Sequence, residues 1–134
     1  YKFTWMISEE KNGYVAIEKT QDTLNILLVS GDGISREYMW LSPDMAEKVG
    51  QALSQAPKYY KKMKDFDKDA TERVAIEDVT VSYSKSIKYG FSVWLKEENG
   101  WGTLNFDYKT ASKLGSELVT IKEKAVFLEE TLGF

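Results

Sequence analysis

The sequence has no cysteine, no histidine and only two prolines among its 134 residues. The lack of cysteine excludes disulfides, and the lack of both cysteine and histidine excludes thiolate and imidazole zinc sites. It also excludes Ser-His and Cys-His nucleophile pairs and the side chain that usually transfers protons near neutral pH. No apolar run approaches the ~18 residues of a membrane-spanning helix. We therefore expect a protein that binds and is not an enzyme, with no metal, no cofactor and no place in a membrane.

The composition is that of one folded domain, because 43% of the residues are hydrophobic and 13% are aromatic. The 18 basic and 21 acidic side chains give a net charge of −3, which does not favour broad electrostatic binding to nucleic acid. The basic groups are unevenly placed, since residues 57–69 hold five of them and only three acidic groups. A narrow, locally basic surface therefore remains compatible with the composition.

The sequence says little about location. The chain begins at Tyr1, so the question of a removed targeting segment stays open. We expect an intracellular protein, with an organelle, a bacterial cytoplasm and a phage-infected cell as the alternatives.

Alternation of apolar and polar residues predicts four strands in the first half, followed by one helix. The predicted strands are Lys2–Ser8, Tyr14–Lys19, Leu24–Ser30 and Arg36–Leu41. Ser42 is a good helix N-cap, and Pro43 fits the first helical position. Apolar residues at helical spacing follow as far as Pro57, where the helix is expected to end.

The second half repeats this order of strands and helix. Its predicted strands are Val79–Lys85, Lys88–Lys96 and Trp101–Asp107, with a short strand around Arg73–Ile76. The Asn-Gly pair at 99–100 is typical of a hairpin turn. One continuous helix is predicted from Lys109 to Thr131.

The two halves are related by a shift of 65 residues. Ala46, Lys48 and Gly50 then coincide with identical residue types at 111, 113 and 115, and the apolar positions stay apolar. Two copies are too few for a solenoid, so we expect them to pack on each other around a pseudo-two-fold axis. The prediction is one α+β domain of two ββββα repeats joined by a charged linker. The domain is 1–134, the repeats are 1–56 and 73–134, and the linker is 57–72.

Strand alternation places one set of side chains toward the helices and the other set on an open face. In the strand at 88–96, the set expected in the core is Tyr89, Phe91, Val93 and Leu95. The opposite set, together with its counterparts in the other strands, interleaves Lys or Arg with Trp or Tyr. These open-face residues are Arg36, Tyr38, Trp40, Lys88, Trp94, Lys96 and Trp101.

Cations interleaved with large rings suit single-stranded nucleic acid. Aromatic rings stack on exposed bases at ~1–3 kcal/mol each with little sequence preference, and neighbouring cations hold the phosphates. We therefore predict that the open-face residues bind nucleic acid. The alternative is that Trp40, Trp94 and Trp101 pack against a second sheet or form a subunit contact.

The basic run at 57–64 adds Lys61 and Lys62 as candidate phosphate contacts, with Tyr59 and Tyr60 beside them for stacking. The alternative is a solvated helix end, whose cations complement the negative end of the preceding helix.

Apolar residues of the final helix follow a heptad-like spacing. This seam is the candidate oligomerisation surface and consists of Leu114, Leu118, Ile121, Ala125 and Leu128. Val119, Val126 and Phe127 widen the apolar surface beyond the seam. We expect some of this surface to contact another helix, either the first helix of the same chain or a helix of another subunit.

The order of elements and several short motifs resemble the Whirly family of single-stranded DNA-binding proteins. The motifs are Tyr38-Met39-Trp40-Leu41-Ser42-Pro43, Tyr89-Gly90-Phe91-Ser92-Val93, Lys109-Thr110-Ala111 and the terminal Leu132-Gly133-Phe134. More distant similarity is to the PUR-repeat proteins, the trypanosome mitochondrial RNA-binding proteins and the positive-cofactor-four coactivators.

The resemblance implies two antiparallel sheets packed perpendicularly, a tetramer formed through the helices, and single-stranded DNA bound across the sheet edges with little sequence preference. It also implies a role in DNA replication, repair, recombination or transcription regulation. Only Leu41, Ser42 and Pro43 map position by position, and their role is structural. The Lys-Gly-Lys-Ala-Ala-Leu motif of the plant proteins is missing, since the comparable region here reads Gly13-Tyr14-Val15-Ala16-Ile17.

The functional prediction is low-specificity binding of single-stranded nucleic acid, with DNA favoured over RNA by the resemblance alone. The alternative is an acidic protein-binding module, similar to a secretion chaperone or an assembly scaffold, that uses the apolar C-terminal helix. The small size, the acidic charge and that helix support this alternative.

Overall fold

A computed structural model describes residues 1–31, 33–100 and 102–133. The first half holds four strands, a short 3-10 helix and two α-helices. Their bounds are β1 (Lys2–Glu10), β2 (Gly13–Thr20), β3 (Leu24–Ser30), the 3-10 helix (Gly33–Ser35), β4 (Glu37–Leu41), α1 (Pro43–Leu53) and α2 (Ala56–Met63). In its described residues the second half has the same order of strands and α-helices. Its bounds are β5 (Ala70–Ile76), β6 (Val79–Ser86), β7 (Gly90–Glu97), β8 (Thr103–Phe106), α3 (Tyr108–Val119) and α4 (Ile121–Leu132).

Each half forms its own four-stranded antiparallel sheet in sequential order, β1-β2-β3-β4 and β5-β6-β7-β8. The predicted α+β class with two ββββα units is confirmed. The first α-helix of each half, α1 or α3, follows an N-cap residue in extended conformation. Ser42 accepts a hydrogen bond from the Met45 N–H at 3.2 Å, and Asp107 accepts one from the Thr110 N–H at 2.7 Å. Each cap satisfies a helical N–H that otherwise has no partner.

The two halves pack together where α1 crosses α3. A Cβ added at Gly50 would lie 2.7 Å from the Cβ of Leu118, and one added at Gly115 would lie 2.9 Å from the Cβ of Leu53. The carbonyl oxygen of each glycine is 2.9 Å from the Cβ position of the other. The glycines that coincide under the 65-residue shift therefore meet at the crossing, where only a hydrogen in place of the side chain lets the helices approach so closely.

Two helix predictions are wrong in detail. The continuous helix predicted from Lys109 to Thr131 is interrupted at Thr120, whose φ of −102° and ψ of 14° end α3 before α4 begins. Pro57 does not follow the end of the first helix directly. It occupies the first turn of α2, where its missing N–H costs no hydrogen bond. Part of the segment predicted as a linker is therefore helical, and β5 begins three residues before 73, at Ala70.

The five seam residues of the last helices are buried within this one chain. They join a core that includes Val49 and Leu53 of α1. The oligomerisation prediction for Leu114, Leu118, Ile121, Ala125 and Leu128 is therefore corrected, because the first helix and the sheets of the same chain already cover them. A heptad-like spacing marks a helix that packs along another helix and does not say which chain supplies the partner. None of the described helices has the length and apolar character needed to cross a membrane.

Candidate nucleic-acid interface

Each sheet has one face covered by helices and one that they leave uncovered. We call the uncovered faces the first and the second open face. The first open face is formed by Thr4, Met6, Glu9, Tyr14, Ala16, Glu18, Asn25, Leu27, Val29, Tyr38 and Trp40. The second open face is formed by Thr71, Arg73, Ala75, Thr80, Ser82, Ser84, Ser92, Trp94, Lys96, Thr103 and Asn105. The strand alternation predicted for Tyr38, Trp40, Trp94 and Lys96 agrees with these positions.

The second open face forms a groove of about 620 Å³, with Trp94 among its lining residues. Trp94 is 39% exposed, and its indole Nε1–H donates a hydrogen bond to Ser92 Oγ at 2.9 Å. Trp94 pairs across the strands with Ser82 on one side and Asn105 on the other. The hydrogen bond fixes the indole ring of Trp94 at its N–H edge, and the rest of the ring remains accessible to solvent. A base can stack only on a ring that is accessible in this way.

Two cations flank Trp94 on this face. Arg73 lies in the same cross-strand row, two strands away, so its Cα is about 10 Å from that of Trp94. Lys96 lies two residues further along β7, on the same side of the sheet. Both side chains are exposed, and within the described residues neither forms an ion pair. Their charge is therefore available to an incoming anion.

One end of the groove is acidic. Glu77 and Asp78 form the turn after β5, and Glu97 and Glu98 lie at the end of β7. The Glu98 N–H donates to the Asp78 carbonyl oxygen at 2.8 Å, which ties the two turns together. Because four carboxylates gather there, a phosphate is favoured beside Arg73 and disfavoured at this end.

The opposite end of the second open face is aromatic. Tyr89 is 80% exposed and lines a depression of about 580 Å³ that Trp94 also lines. Lys88 lies in the same turn, with its Nζ 5.1 Å from the centre of the Tyr89 ring. The prediction that Tyr89 belongs to the core is wrong, because β7 begins only at Gly90. The φ of +83° at Gly90 leaves Tyr89 in the turn, outside the strand alternation.

The centre of the first open face is apolar. Tyr38 and Trp40 are 51% and 48% exposed. The face has its own small buried cluster, which consists of Ala16, Leu27 and Val29 with Tyr14 packed against it. Arg36 precedes β4, and its guanidinium carbon lies 5.5 Å from the centre of the Tyr14 ring. The predicted trio of Arg36, Tyr38 and Trp40 is thus on one side of this sheet, with its cation placed against an aromatic ring.

The predicted residues form two groups on two sheets. The sheets meet where β3 and β4 approach β8, and the Asn105 N–H donates to Ser30 Oγ at 3.2 Å. Trp101 lies outside the described residues, so the structure assigns it to neither group.

The two lysines of α2 that are predicted to contact phosphate, Lys61 and Lys62, lie apart from both open faces. Tyr59 and Tyr60 of this helix pack on Tyr83 and Phe91, which belong to the covered side of the second sheet. Lys61 and Lys62 are therefore on the helix side of the sheet, and they do not join Trp94. Lys62 Nζ is 3.0 Å from Glu72 Oε1. This contact raises the pKa of Lys62 and lowers the pKa of Glu72, since each charge stabilises the other.

Sequence reasoning missed Arg73 and Tyr89 as members of the second open face. The apolar residues Val74 and Ile76 carry the signal for Arg73, because a strand that turns them inward turns Arg73 outward. The signal for Tyr89 is Gly90, because a glycine is typical of the last position of a hairpin turn. Tyr89 therefore belongs to the turn and not to the strand.

No model of a known protein family matches the chain, and no curated protein matches it.

Proposed function

We propose that the protein binds single-stranded nucleic acid with low sequence specificity through the second open face. Trp94 stacks on a base, and Arg73 and Lys96 contact the backbone phosphates. The observation that carries the proposal is a solvent-accessible tryptophan flanked by two cations without ion pairs in one groove. No catalytic step is assigned to any residue.

The polar lining of the groove is consistent with low specificity. Ser82, Ser84, Thr80 and Thr103 carry hydroxyls, which both donate and accept hydrogen bonds. Such groups adapt to the edge of any base, whereas selective readout uses bidentate amide or guanidinium contacts. Stacking on Trp94 is similarly tolerant because every base has a π-face.

The charges suggest a path for the strand. Glu77, Asp78, Glu97 and Glu98 repel phosphates at one end of the groove. A nucleic-acid strand that crosses the β-strands, from Arg73 over Trp94 toward β8, avoids them. Tyr89 offers a second ring on the other side of Trp94 for a neighbouring base.

The proposal is tested by fluorescence anisotropy of a labelled unstructured oligonucleotide at low salt. We expect the wild type to bind and Trp94→Ala to bind about 10-fold or more weakly, as expected for the loss of one stacking contact. Lys61→Gln is the matched control, because this exposed cation lies on the helix side of the sheet, and its binding should equal that of the wild type. Absence of binding at low salt would overturn the proposal.

A gel shift with single-stranded DNA, single-stranded RNA and duplex DNA of one sequence measures the preferred nucleic acid. We expect both single strands to bind better than the duplex, because paired bases do not present their faces for stacking. The resemblance to the Whirly family supports DNA as the tighter ligand.

A second candidate function is protein binding or self-association through α4. Phe127 is 59% exposed, and Val126 and Leu132 are also exposed on this helix. Phe127 contacts the Trp5 ring with their centres 6.3 Å apart, so its position is held by β1. We propose these three residues, in place of the buried seam, as the surface for a homo-oligomer or a protein partner.

Sedimentation of the wild type and of Phe127→Lys tests this, since the variant should lose any association. Added salt should leave this association in place while it weakens nucleic-acid binding.

A further inference from the structure

The outer edge of β5 has regular hydrogen-bonding geometry. The turn from β5 to β6 contains two residues, Glu77 and Asp78, so Ile76 and Val79 form a hydrogen-bonded pair. The direction of the backbone polar groups alternates along a strand, so every second residue of β5 directs its N–H and C=O groups away from β6. The residues with outward backbone groups are Thr71, Arg73 and Ala75.

The other sheet edges in the described part of the chain differ from this one. The register of β1 shifts between Met6 and Ser8, a bulge that disturbs its ladder. The ends of the two sheets at β4 and β8 approach each other, and the Asn105 N–H is already used by Ser30. β5 is regular from Ala70 to Ile76, and it contains no proline. It is therefore well suited to accept another strand.

A groove of about 530 Å³ runs beside this edge, between β5 and α1. Ala52, Val74 and Ile76 contribute apolar surface, and Gln51 and Gln55 contribute side-chain amides. The two charged residues of the lining are Lys48 and Glu77. They pair with each other, Nζ to Oε2, at 3.3 Å. The described lining therefore offers backbone hydrogen bonds, amides and apolar surface, with no net charge.

We propose that this groove binds an extended, uncharged peptide segment of a partner protein, which adds to the second sheet as a fifth strand beside β5. An extended chain matches the outward N–H and C=O groups at their spacing, whereas a helix leaves them unpaired. Lys48 and Glu77 already pair with each other, and Arg73 projects from the opposite face of β5, so the groove itself favours a segment without charge. A second copy is disfavoured as the occupant, because antiparallel pairing of two β5 strands about Arg73 would place the two guanidinium groups opposite each other.

The test is a selection of random octapeptides by mRNA display on the wild type and on two variants. Ala75→Pro removes one outward N–H without removing a hydrogen bond to β6. Ala75→Thr keeps that N–H and is the matched control. We expect the wild type and Ala75→Thr to enrich peptides poor in Asp, Glu, Lys and Arg, and we expect these peptides to bind Ala75→Pro at least 10-fold more weakly.

Amide hydrogen exchange then locates the binding. An enriched peptide should slow exchange at the amides of Thr71, Arg73 and Ala75, which are open to solvent in the free protein. Equal binding to Ala75→Pro, enrichment of charged peptides, no enrichment, or protection confined to other strands would each overturn the proposal. Protection of the same amides in the free protein, together with a dimer in sedimentation, would identify a second copy as the occupant and would also overturn it.

A thermal unfolding curve shows whether Ala75→Pro folds. If it does not, the double variant Gln51→Arg/Gln55→Arg takes its place, because these residues form the helical wall and lie outside the sheet. The same 10-fold loss is expected. No nucleic acid is used in any arm, so the result is independent of the proposed nucleic-acid function.

Discussion

The two open faces occupy equivalent places in the two repeats and carry opposite chemistry. Under the 65-residue shift, β3 and β4 fall on β7 and β8. The equivalent open-face pairs are Leu27 and Ser92, Val29 and Trp94, Tyr38 and Thr103, and Trp40 and Asn105. Where the first sheet is apolar, the second is polar, with its tryptophan at the position of a buried valine.

The covered faces of the same strands are conserved in character between the repeats. Ile26 and Leu28 correspond to Phe91 and Val93, and each keeps an apolar side chain toward the helices. Packing against a helix restricts a position to apolar residues of suitable volume. The described helices do not pack against the open faces, so the residues of these faces can differ between the repeats and can carry different functions.

The largest expected effect comes from placing a charge at the equivalent pair Val29 and Trp94, of which the first is buried and the second is exposed. Val29→Lys should lower the free energy of unfolding by at least about 3 kcal/mol, because Val29 is fully buried and offers no partner for the ammonium group. Trp94→Lys should change it by less than about 1 kcal/mol, since that position is exposed. Urea unfolding of both variants measures the difference. Equal destabilisation would mean that the two faces are equally packed.

The next effect separates the faces by ligand binding. Trp94→Ala should weaken oligonucleotide binding by about 1–3 kcal/mol, and Trp40→Ala should weaken it by no more than about 0.5 kcal/mol. Beside its rings the first open face has the buried apolar cluster of Ala16, Leu27 and Val29, and its cation Arg36 is placed over the Tyr14 ring. Anisotropy titrations of the two variants at one salt concentration give the comparison. A larger loss with Trp40→Ala would move the site to the first sheet.

Salt dependence sharpens the assignment of the cations. Removing one phosphate contact with Arg73→Gln or Lys96→Gln should reduce the slope of log affinity against log salt by about 0.7, the value expected for single strands. Lys62→Gln should leave the slope unchanged, because Lys62 is paired with Glu72 on the other side of the sheet. A change with Lys62→Gln alone would show that the phosphates follow α2.

The smallest expected effect concerns the acidic end of the groove. Glu98→Gln removes a carboxylate that repels phosphate, so binding should tighten by about two- to threefold at low salt. Glu123→Gln on α4 is the control for the change in net charge, and it should have no such effect. Weaker binding of Glu98→Gln would mean that the carboxylate itself contacts the ligand.

Much of this fold could be predicted from local pattern. Neighbours within a few residues decide which side chains of β3 and β4 face the helices, and they also decide the helix caps at Ser42 and Asp107. The sequence pattern and the structure therefore agree at these places. The interruption at Thr120 could not be predicted in this way, because an apolar seam continues across it and the break depends on how α4 packs against α1.

The site was predicted in part for the same reason. Trp94 and Lys96 follow strand alternation directly, whereas Tyr89 leaves it at the turn before Gly90. The contrast between the two open faces could not be predicted either. Strand alternation gives each face an exposed aromatic ring, but the burial of Ala16, Leu27 and Val29 on the first face depends on the packing of the whole sheet. Burial of the seam within one chain likewise requires the position of α1 to be known.

The most direct test of the central claim follows the indole N–H signals of the tryptophans by NMR as an unstructured oligonucleotide is added. We expect the Trp94 signal to shift in proportion to bound ligand, together with the amides of Ser82 and Asn105 beside it. The Trp40 signal should remain in place. A shift of the Trp40 signal with an unmoved Trp94 signal would contradict the account.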